Sequence, residues 1–297
     1  MRLKKLLIGG ILLAFALTLS SQVLGSELKI GVLAKRGAEN CLKQWVPTAQ
    51  YLSSVTGHEV RIVPLRFEVA DQMVANKQVD FIIVNSSMYC DIAKKHGAEA
   101  IATLENSRQG QALTEFGGVL FTKADSPIET LEDIRGKSFM CVKKNSFGGY
   151  QMQLMLLQEH GINPETDCSL FKEAGTHDQV VDMVKKGVIQ VGCVRTDTIE
   201  RMAAEGKCSL SDFKIINKQS GNFPFVYSTE LYPEWPCASC AHTDKSVVDA
   251  VAKALVDMPK DSDAAKAAKC VGWVKPLNYE PVIHLLATLK LGTFASN

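Results

Sequence analysis

The chain has 297 residues, of which 46% are hydrophobic and 22% charged, with a formal net charge of +1 at pH 7. That balance excludes the one-signed field of a nucleic-acid or membrane-surface binder, and the length suffices for two domains that each bury a core. Recognition of charge, if present, is therefore local.

The N-terminus reads as a secretory leader. Arg2, Lys4 and Lys5 precede an uncharged apolar run over residues 6–19, and Val23 and Gly25 fit the positions before a cut ahead of Ser26. A membrane span needs about 20 apolar residues. The expectation is a signal peptide over 1–25, with a retained anchor as the alternative. Residues 28–33 predict a first strand, followed by a helix with Trp45, Ala49, Leu52 and Val55 on one face and Gly57 as its stop. A strand over 60–64 and a short helix over 69–76 come next. The β-rich run 79–84 breaks into Asn85, Ser86, Ser87, Met88 and Tyr89 and continues as a helix towards Gly97.

Residues 117–122 are extended and β-rich. A second strand–helix series then predicts strands over 139–142, 169–173 and 190–194, each followed by a helix, over 150–160, 177–186 and 196–204. Residues 223–228 form another extended run, and Val248, Val251 and Leu255 mark a further helix. The alternation defines an α/β protein. With the two extended runs as crossings, lobe 1 comprises 26–118 and 223–297 and lobe 2 comprises 119–222. One large sheet is the alternative.

The segment most suggestive of function is Lys144-Asn145-Ser146-Phe147-Gly148-Gly149-Tyr150, a glycine-rich turn from a strand into a helix. Backbone N–H groups at such a turn can close around an anion, and Ser146 adds a hydroxyl donor. A plain tight turn explains the same glycines. The second polar strand-to-helix turn, at Asn85 to Tyr89, suggests one ligand gripped from two sides, although Ser86 and Ser87 also suit simple helix caps.

All nine cysteines lie beyond the leader, and their odd number leaves at least one thiol unpaired. Cys141 and Cys193 sit in apolar strands and read as buried, inert thiols. Cys237 and Cys240 have the spacing of a disulfide, of inert thiols, or of a metal or redox pair. A zinc site wants a second such pair, and haem attachment wants His directly after Cys240, where Ala241 intervenes. Neither a Gly-x-Ser-x-Gly elbow nor a His-Glu-x-x-His motif occurs, and neither Cys41 nor Cys90 carries a nucleophile signature. The expectation is a binding protein, not an enzyme, with no cofactor and no metal. A structural or adhesion module has no use for two polar turns.

Several short segments in a fixed order carry a family resemblance. They are Gln44-Trp45-Val46-Pro47-Thr48-Ala49-Gln50-Tyr51-Leu52, Ser146-Phe147-Gly148-Gly149-Tyr150, Gly175-Thr176-His177-Asp178, Gly192-Cys193-Val194-Arg195-Thr196 with Glu200, Pro233-Glu234-Trp235-Pro236, and Gly272-Trp273 followed by Tyr279. From Leu28 to Gly292 the chain resembles the periplasmic phosphate/phosphite/phosphonate-type solute-binding proteins, and more closely the sensor domains of tetrathionate-sensing histidine kinases. The resemblance implies a type II-like, two-lobed periplasmic-binding-protein clamshell, with the two crossing strands as hinge and the ligand at strand ends and helix starts. Carried over by position, it implies Ser86, Ser87 and Tyr89 on lobe 1, with Lys35 or Arg36 adding charge. On lobe 2 it implies Ser146, Gly148, Gly149, Tyr150, His177, Arg195 and Thr196.

Plainer roles stand beside these: a capping or surface His177, an Arg195 paired with Asp197 or Glu200, and core aromatics at Tyr89 and Tyr150. Trp45, Trp235 and Trp273 read as packing residues. Where phosphonate binders are expected to place an acid for the ligand's amino group, this chain has Arg195, which suits a purely anionic ligand. The implied protein is a periplasmic monomer without a nucleic-acid partner. It hands a small oxyanion to an ABC-transporter permease or, alternatively, reports to a membrane histidine kinase, because neither a transmembrane span nor a kinase segment is read after the last helix. A thiol-dependent sensor is the third reading.

Overall fold

The structure is a computed structural model that describes residues 25–295. The leader expected over 1–25 lies outside the described residues except for Gly25. Fourteen strands are present among the described residues. The first half holds β1 (Gly25–Leu33), β2 (His58–Leu65), β3 (Phe81–Ile83), β4 (Glu99–Arg108), β5 (Gln111–Leu113), β6 (Glu115–Phe116) and β7 (Gly118–Lys123). The second holds β8 (Ser138–Cys141), β9 (Leu170–Glu173), β10 (Val191–Arg195), β11 (Phe213–Ile216), β12 (Tyr232–Pro233), β13 (Pro236–Ser239) and β14 (Cys270–Val274).

They form two main sheets. The larger runs β14-β4-β13-β3-β1-β2, with β5 on β4, and the smaller runs β11-β7-β10-β8-β9. The strands of the larger sheet come from two stretches of chain that flank the smaller sheet in sequence. In the larger sheet β1 pairs parallel with β2 and β3, while β13 and β14 add antiparallel strands. Parallel strands covered by helices on both faces read as unbroken apolar runs. Phe81, Ile82 and Ile83 are all fully buried, as are Val191, Cys193 and Val194. Full burial of one such aliphatic or aromatic side chain is worth about 1.5–3 kcal/mol.

Helix ends follow local chemistry. The helix Ala38–Thr56 buries Trp45, Ala49 and Leu52 and stops at Gly57 with φ 75°, a left-handed turn that glycine enters without penalty. Val55, expected on the same face, is instead 53% exposed. The helix Ser86–His96 starts under Asn85, whose side chain accepts the Met88 N–H.

The crossings differ from the expectation. Residues 118–123 form β7, a central strand of the smaller sheet paired on both sides, and their near-complete burial is what a central strand needs. Residues 223–228 contain no strand. Their end runs beside β7 instead: Ser228 N–H donates to the Gly118 carbonyl and the Gly118 N–H to Thr229 Oγ1. The chain passes between the sheets in a short antiparallel ribbon, β6 on β12, with Phe116 opposite Tyr232.

Candidate functional site

A cavity of about 310 Å³ opens between the two sheets. The larger sheet's side supplies Lys35 and Arg36 just past β1, Asn85 at a helix cap, Asn106 and Arg108 at the end of β4, and Trp235 beside β13. From the smaller sheet's side come Ser146 to Gly148, Gly175 to Asp178, and Arg195 with Asp197 and Thr198. These are strand ends and helix starts, where open α/β sheets expose polar backbone. Phe67, Phe116, Phe147 and Trp235 add aromatic wall.

The glycine-rich turn works through close approach. A single π-turn over Phe147–Gln151 leads into the helix Met152–Glu159. A Cβ on Gly148 would lie 2.7 Å from Phe116 Cε2 and 2.9 Å from Arg195 Cβ, so only glycine lets this helix start meet the end of β10. Ser146 lines the cavity, and its hydroxyl takes no hydrogen bond from the described residues.

Six basic side chains, Lys35, Arg36, Arg108, Arg195, Arg201 and Lys269, line the cavity against the carboxylates of Asp178 and Asp197. Behind them Glu234, 1% exposed, accepts from Arg195 Nη2 and from Asn106 Nδ2, both at 2.7 Å. Burial pushes the Glu234 carboxyl up, but Arg195, Arg108 and those hydrogen bonds outweigh it and hold the group below the usual carboxylate range. Arg195, 8% exposed, also lies 4.3 Å from the Phe116 ring and has its Nε 3.7 Å from Asp197 Oδ1. Arg108 Nε stands 3.2 Å from Asp197 Oδ2 without the alignment of a hydrogen bond. The Nε of Arg108 and of Arg195 are therefore buried donors lacking acceptors, and both belong to residues that line the cavity.

His177 accepts the Arg195 backbone N–H on Nδ1 at 3.3 Å. Burial, then Arg195 and Lys35, hold its imidazole well below the ordinary histidine value, so it is neutral and offers Nε2–H as a donor. Lys35 Nζ lies 4.6 Å over the Trp235 ring. The side chain is exposed, and the protein packed beside it, then Arg108 and Arg195, lower its ammonium from the ordinary lysine value.

Of the residues expected from sequence, Lys35, Arg36, Ser146, Gly148, His177 and Arg195 converge on this cavity. The other six lie outside its lining, each with a local role. Ser86 donates to the Pro233 carbonyl at 2.6 Å, and Ser87 is buried in the first turn below Asn85. The Tyr89 hydroxyl accepts the Ala100 N–H, and its ring packs edge-on against Tyr279. Tyr150 donates to Glu165 Oε1 at 2.9 Å. Thr196 Oγ1 accepts the Gly117 N–H at 3.3 Å, and Gly149 packs against Ser146 and Val142, where a Cβ would lie 2.6 Å from each.

Of the three readings left open for Cys237 and Cys240, the disulfide is not formed; both thiols are free and buried. Cys237 lies within β13, and the Cys240 N–H extends that strand's edge by bonding Asp80. Residues three apart along a strand sit about 10 Å apart, beyond the roughly 7 Å a disulfide can bridge. Among the described residues no group of three His, Cys, Asp or Glu side chains is arranged to hold a metal.

Asn106 and Arg108 were not singled out from sequence, Asp197 was read only as an ion-pair partner of Arg195, and Glu234 and Trp235 were read as family or packing residues. The available signal was the polar end of the run 99–108, the same strand-end pattern that marks Arg195.

Two sheets joined by a ribbon, with a cationic cavity between them, define a two-lobed solute-binding protein. The family of periplasmic substrate-binding proteins of ABC phosphonate transporters matches residues 30–279, and the chain belongs to it. The chain is 29% identical over 263 residues to the tetrathionate sensor histidine kinase TtrS of Salmonella typhimurium. That match covers 88% of this chain and 43% of the relative, so the chain spans less than half of TtrS. PhnD1 from Prochlorococcus marinus in complex with methylphosphonate superposes with a TM-score of 0.71 at 13% identity, over 89% of this chain and 98% of that one. A binding-protein component of an ABC phosphonate transporter from Pseudomonas aeruginosa gives 0.71 at 14% identity, over 92% and 89%. A Xanthomonas citri protein bound to ATP gives 0.70 at 19%, over 91% and 100%. These structures establish the shared fold. No described helix is long and apolar enough to cross a membrane.

Proposed function

We propose that the protein is an exported periplasmic receptor that captures one small oxyanion, a phosphate, phosphite, phosphonate or sulfur oxyanion, and delivers it to the permease of an ABC transporter. The observation that carries this reading is the excess of positive charge in the cavity, where six basic side chains stand against the carboxylates of Asp178 and Asp197. The carboxylates are already engaged: Glu234 with Arg195, Asp197 with both arginines, and Asp178 with Arg36, Arg201 and Lys207. That leaves no acid to receive a ligand ammonium and favours a purely anionic ligand. The lobes follow the two sheets, the β6–β12 ribbon acts as the hinge, and the chain works as a monomer until it meets its membrane partner.

The match to TtrS supports a second reading, in which the same clamshell reports its ligand to a membrane histidine kinase. A thermal-shift screen against phosphate, phosphite, methylphosphonate, sulfate, thiosulfate and tetrathionate tests ligand capture, since a ligand at a hundredfold excess over its Kd stabilises by about 2.7 kcal/mol. At least one anion raises the melting temperature; no shift with any of them removes the proposal. Deletion of the gene then separates the two readings. Loss of uptake supports transport, and loss of anion-dependent transcription with uptake intact supports sensing.

A further inference from the structure

Asp197 lines the cavity between two guanidiniums carried by opposite sheets, with Arg108 Nε at 3.2 Å from the end of β4 and Arg195 Nε at 3.7 Å from the end of β10. Its seat is locally unfavourable. The residue holds φ 66°, in the left-handed region that side-chain-bearing residues seldom adopt. It stands at the N-cap of the helix Thr198–Ala204, where an aspartate ordinarily accepts an N–H of the first turn, and makes no such bond. Glu200, in that first turn, accepts the Val226 N–H at 2.8 Å instead of closing a capping box. Neither guanidinium Nε donates an aligned hydrogen bond to the Asp197 carboxylate, although the residue is only 5% exposed.

The neighbouring carboxylates are held more firmly. Glu234 accepts Arg195 Nη2 and Asn106 Nδ2, both at 2.7 Å. Asp178 accepts both terminal nitrogens of Arg201 and also lies near Arg36 and Lys207. Lys35 and Lys269, both exposed, line the cavity without an ion pair to any described carboxylate. Resting on the oxyanion reading, we propose that Asp197 sets the charge of the ligand: its carboxylate is the resident counter-ion between Arg108 and Arg195, and the cleft admits a dianion that displaces it. A monoanion in that seat exchanges one negative charge for another and leaves Asp197 unpaired beside it, so it gains nothing. A dianion brings a second charge, which meets the unpaired ammoniums of Lys35 and Lys269, and its oxygens offer the guanidiniums the acceptors that Asp197 does not align.

The test is isothermal titration of wild type and Asp197→Asn, a change of almost no volume to a residue that tolerates the left-handed backbone. The probes are sulfate, thiosulfate and tetrathionate, phosphate and methylphosphonate in mild base where both are dianions, and the monoanions nitrate and acetate. Wild type is expected to bind at least one dianion and neither monoanion. Asp197→Asn is expected to bind that dianion at least about tenfold more tightly, because no carboxylate competes for the guanidiniums, and to admit a monoanion. A folded Asp197→Asn that binds the dianion no better than wild type, or more weakly, overturns the proposal and leaves the oxyanion reading standing. A crystal structure of the wild-type complex decides the matter independently of how the variant folds. The anion is expected between Arg108 and Arg195 with the Asp197 side chain out of ion-pair reach of both; an anion bound elsewhere with Asp197 still on both arginines overturns the proposal. Binding of no anion by either protein sinks the oxyanion reading, and this inference with it.

Discussion

Glu234→Gln tests the electrostatic design of the cleft with a change of almost no volume. Glu234 and Arg195 are both buried, and their atoms meet at 2.7 Å. Removing one charge of a buried pair costs about 3–5 kcal/mol, because the other is left in a poor dielectric. The glutamine carbonyl keeps an acceptor for Arg195 or Asn106, so the lower end, about 3 kcal/mol, applies. For a chain of this size that corresponds to a melting temperature lower by roughly 6–12 °C. Wild-type Glu234 titrates below the ordinary carboxylate value, so its contribution is complete above about pH 4.5 and is lost as pH falls through the folded value. The gap between wild type and variant therefore narrows in acid. With Glu234 neutral, Arg195 faces the cavity less compensated, and an anion stabilises the variant more than it does wild type. Scanning calorimetry with and without the anion reads both effects. Equal melting temperatures and equal anion shifts would refute the claim that this pair sets the charge of the cleft.

Further substitutions separate the cavity from its surroundings. Arg195→Ala is expected to weaken anion affinity by more than about tenfold, the scale of a charge-assisted hydrogen bond. Ser86→Ala, which removes the donor to Pro233, should lower stability by about 1 kcal/mol and leave affinity unchanged; equal affinity losses in calorimetry contradict this placement of the two residues. Gly148→Ala drives a Cβ against Phe116 and Arg195 and is expected to cost about 1–3 kcal/mol while weakening binding, which chemical denaturation and titration measure together. The double change Cys237→Ser with Cys240→Ser should lower stability, because both thiols are buried in apolar surroundings, but leave affinity intact. A wild-type affinity that changes on adding reductant instead points to thiol-dependent sensing.

Periodicity and turn chemistry made most of the architecture legible. The alternation of apolar strands with helices stopped at Gly57 and Gly97 placed the elements, and the two polar turns marked the side of the sheets where the cavity lies. Burial on both faces was harder to see. An extended apolar run such as Gly118–Lys123 has the same composition whether it links two lobes or sits at the centre of a sheet, and only its pairing with β10 and β11 distinguishes them. Side-chain direction was equally hidden. Tyr89 and Tyr150 follow the right turns, but their hydroxyls are claimed by Ala100 and Glu165. Glu234 lies far along the chain from Arg195 and Asn106, and its role exists only because the ribbon brings three segments together.

The most direct test of the account is isothermal titration of the purified protein with ethylphosphonate, with the same anion bearing a terminal amine, and with phosphate, sulfate, thiosulfate and tetrathionate. Capture of a purely anionic ligand between the lobes predicts one site per chain for at least one anion, much weaker binding of the aminated ligand than of its unaminated partner, and loss of that site in Arg195→Ala. Tighter binding of the aminated ligand, or no heat with any anion, contradicts it.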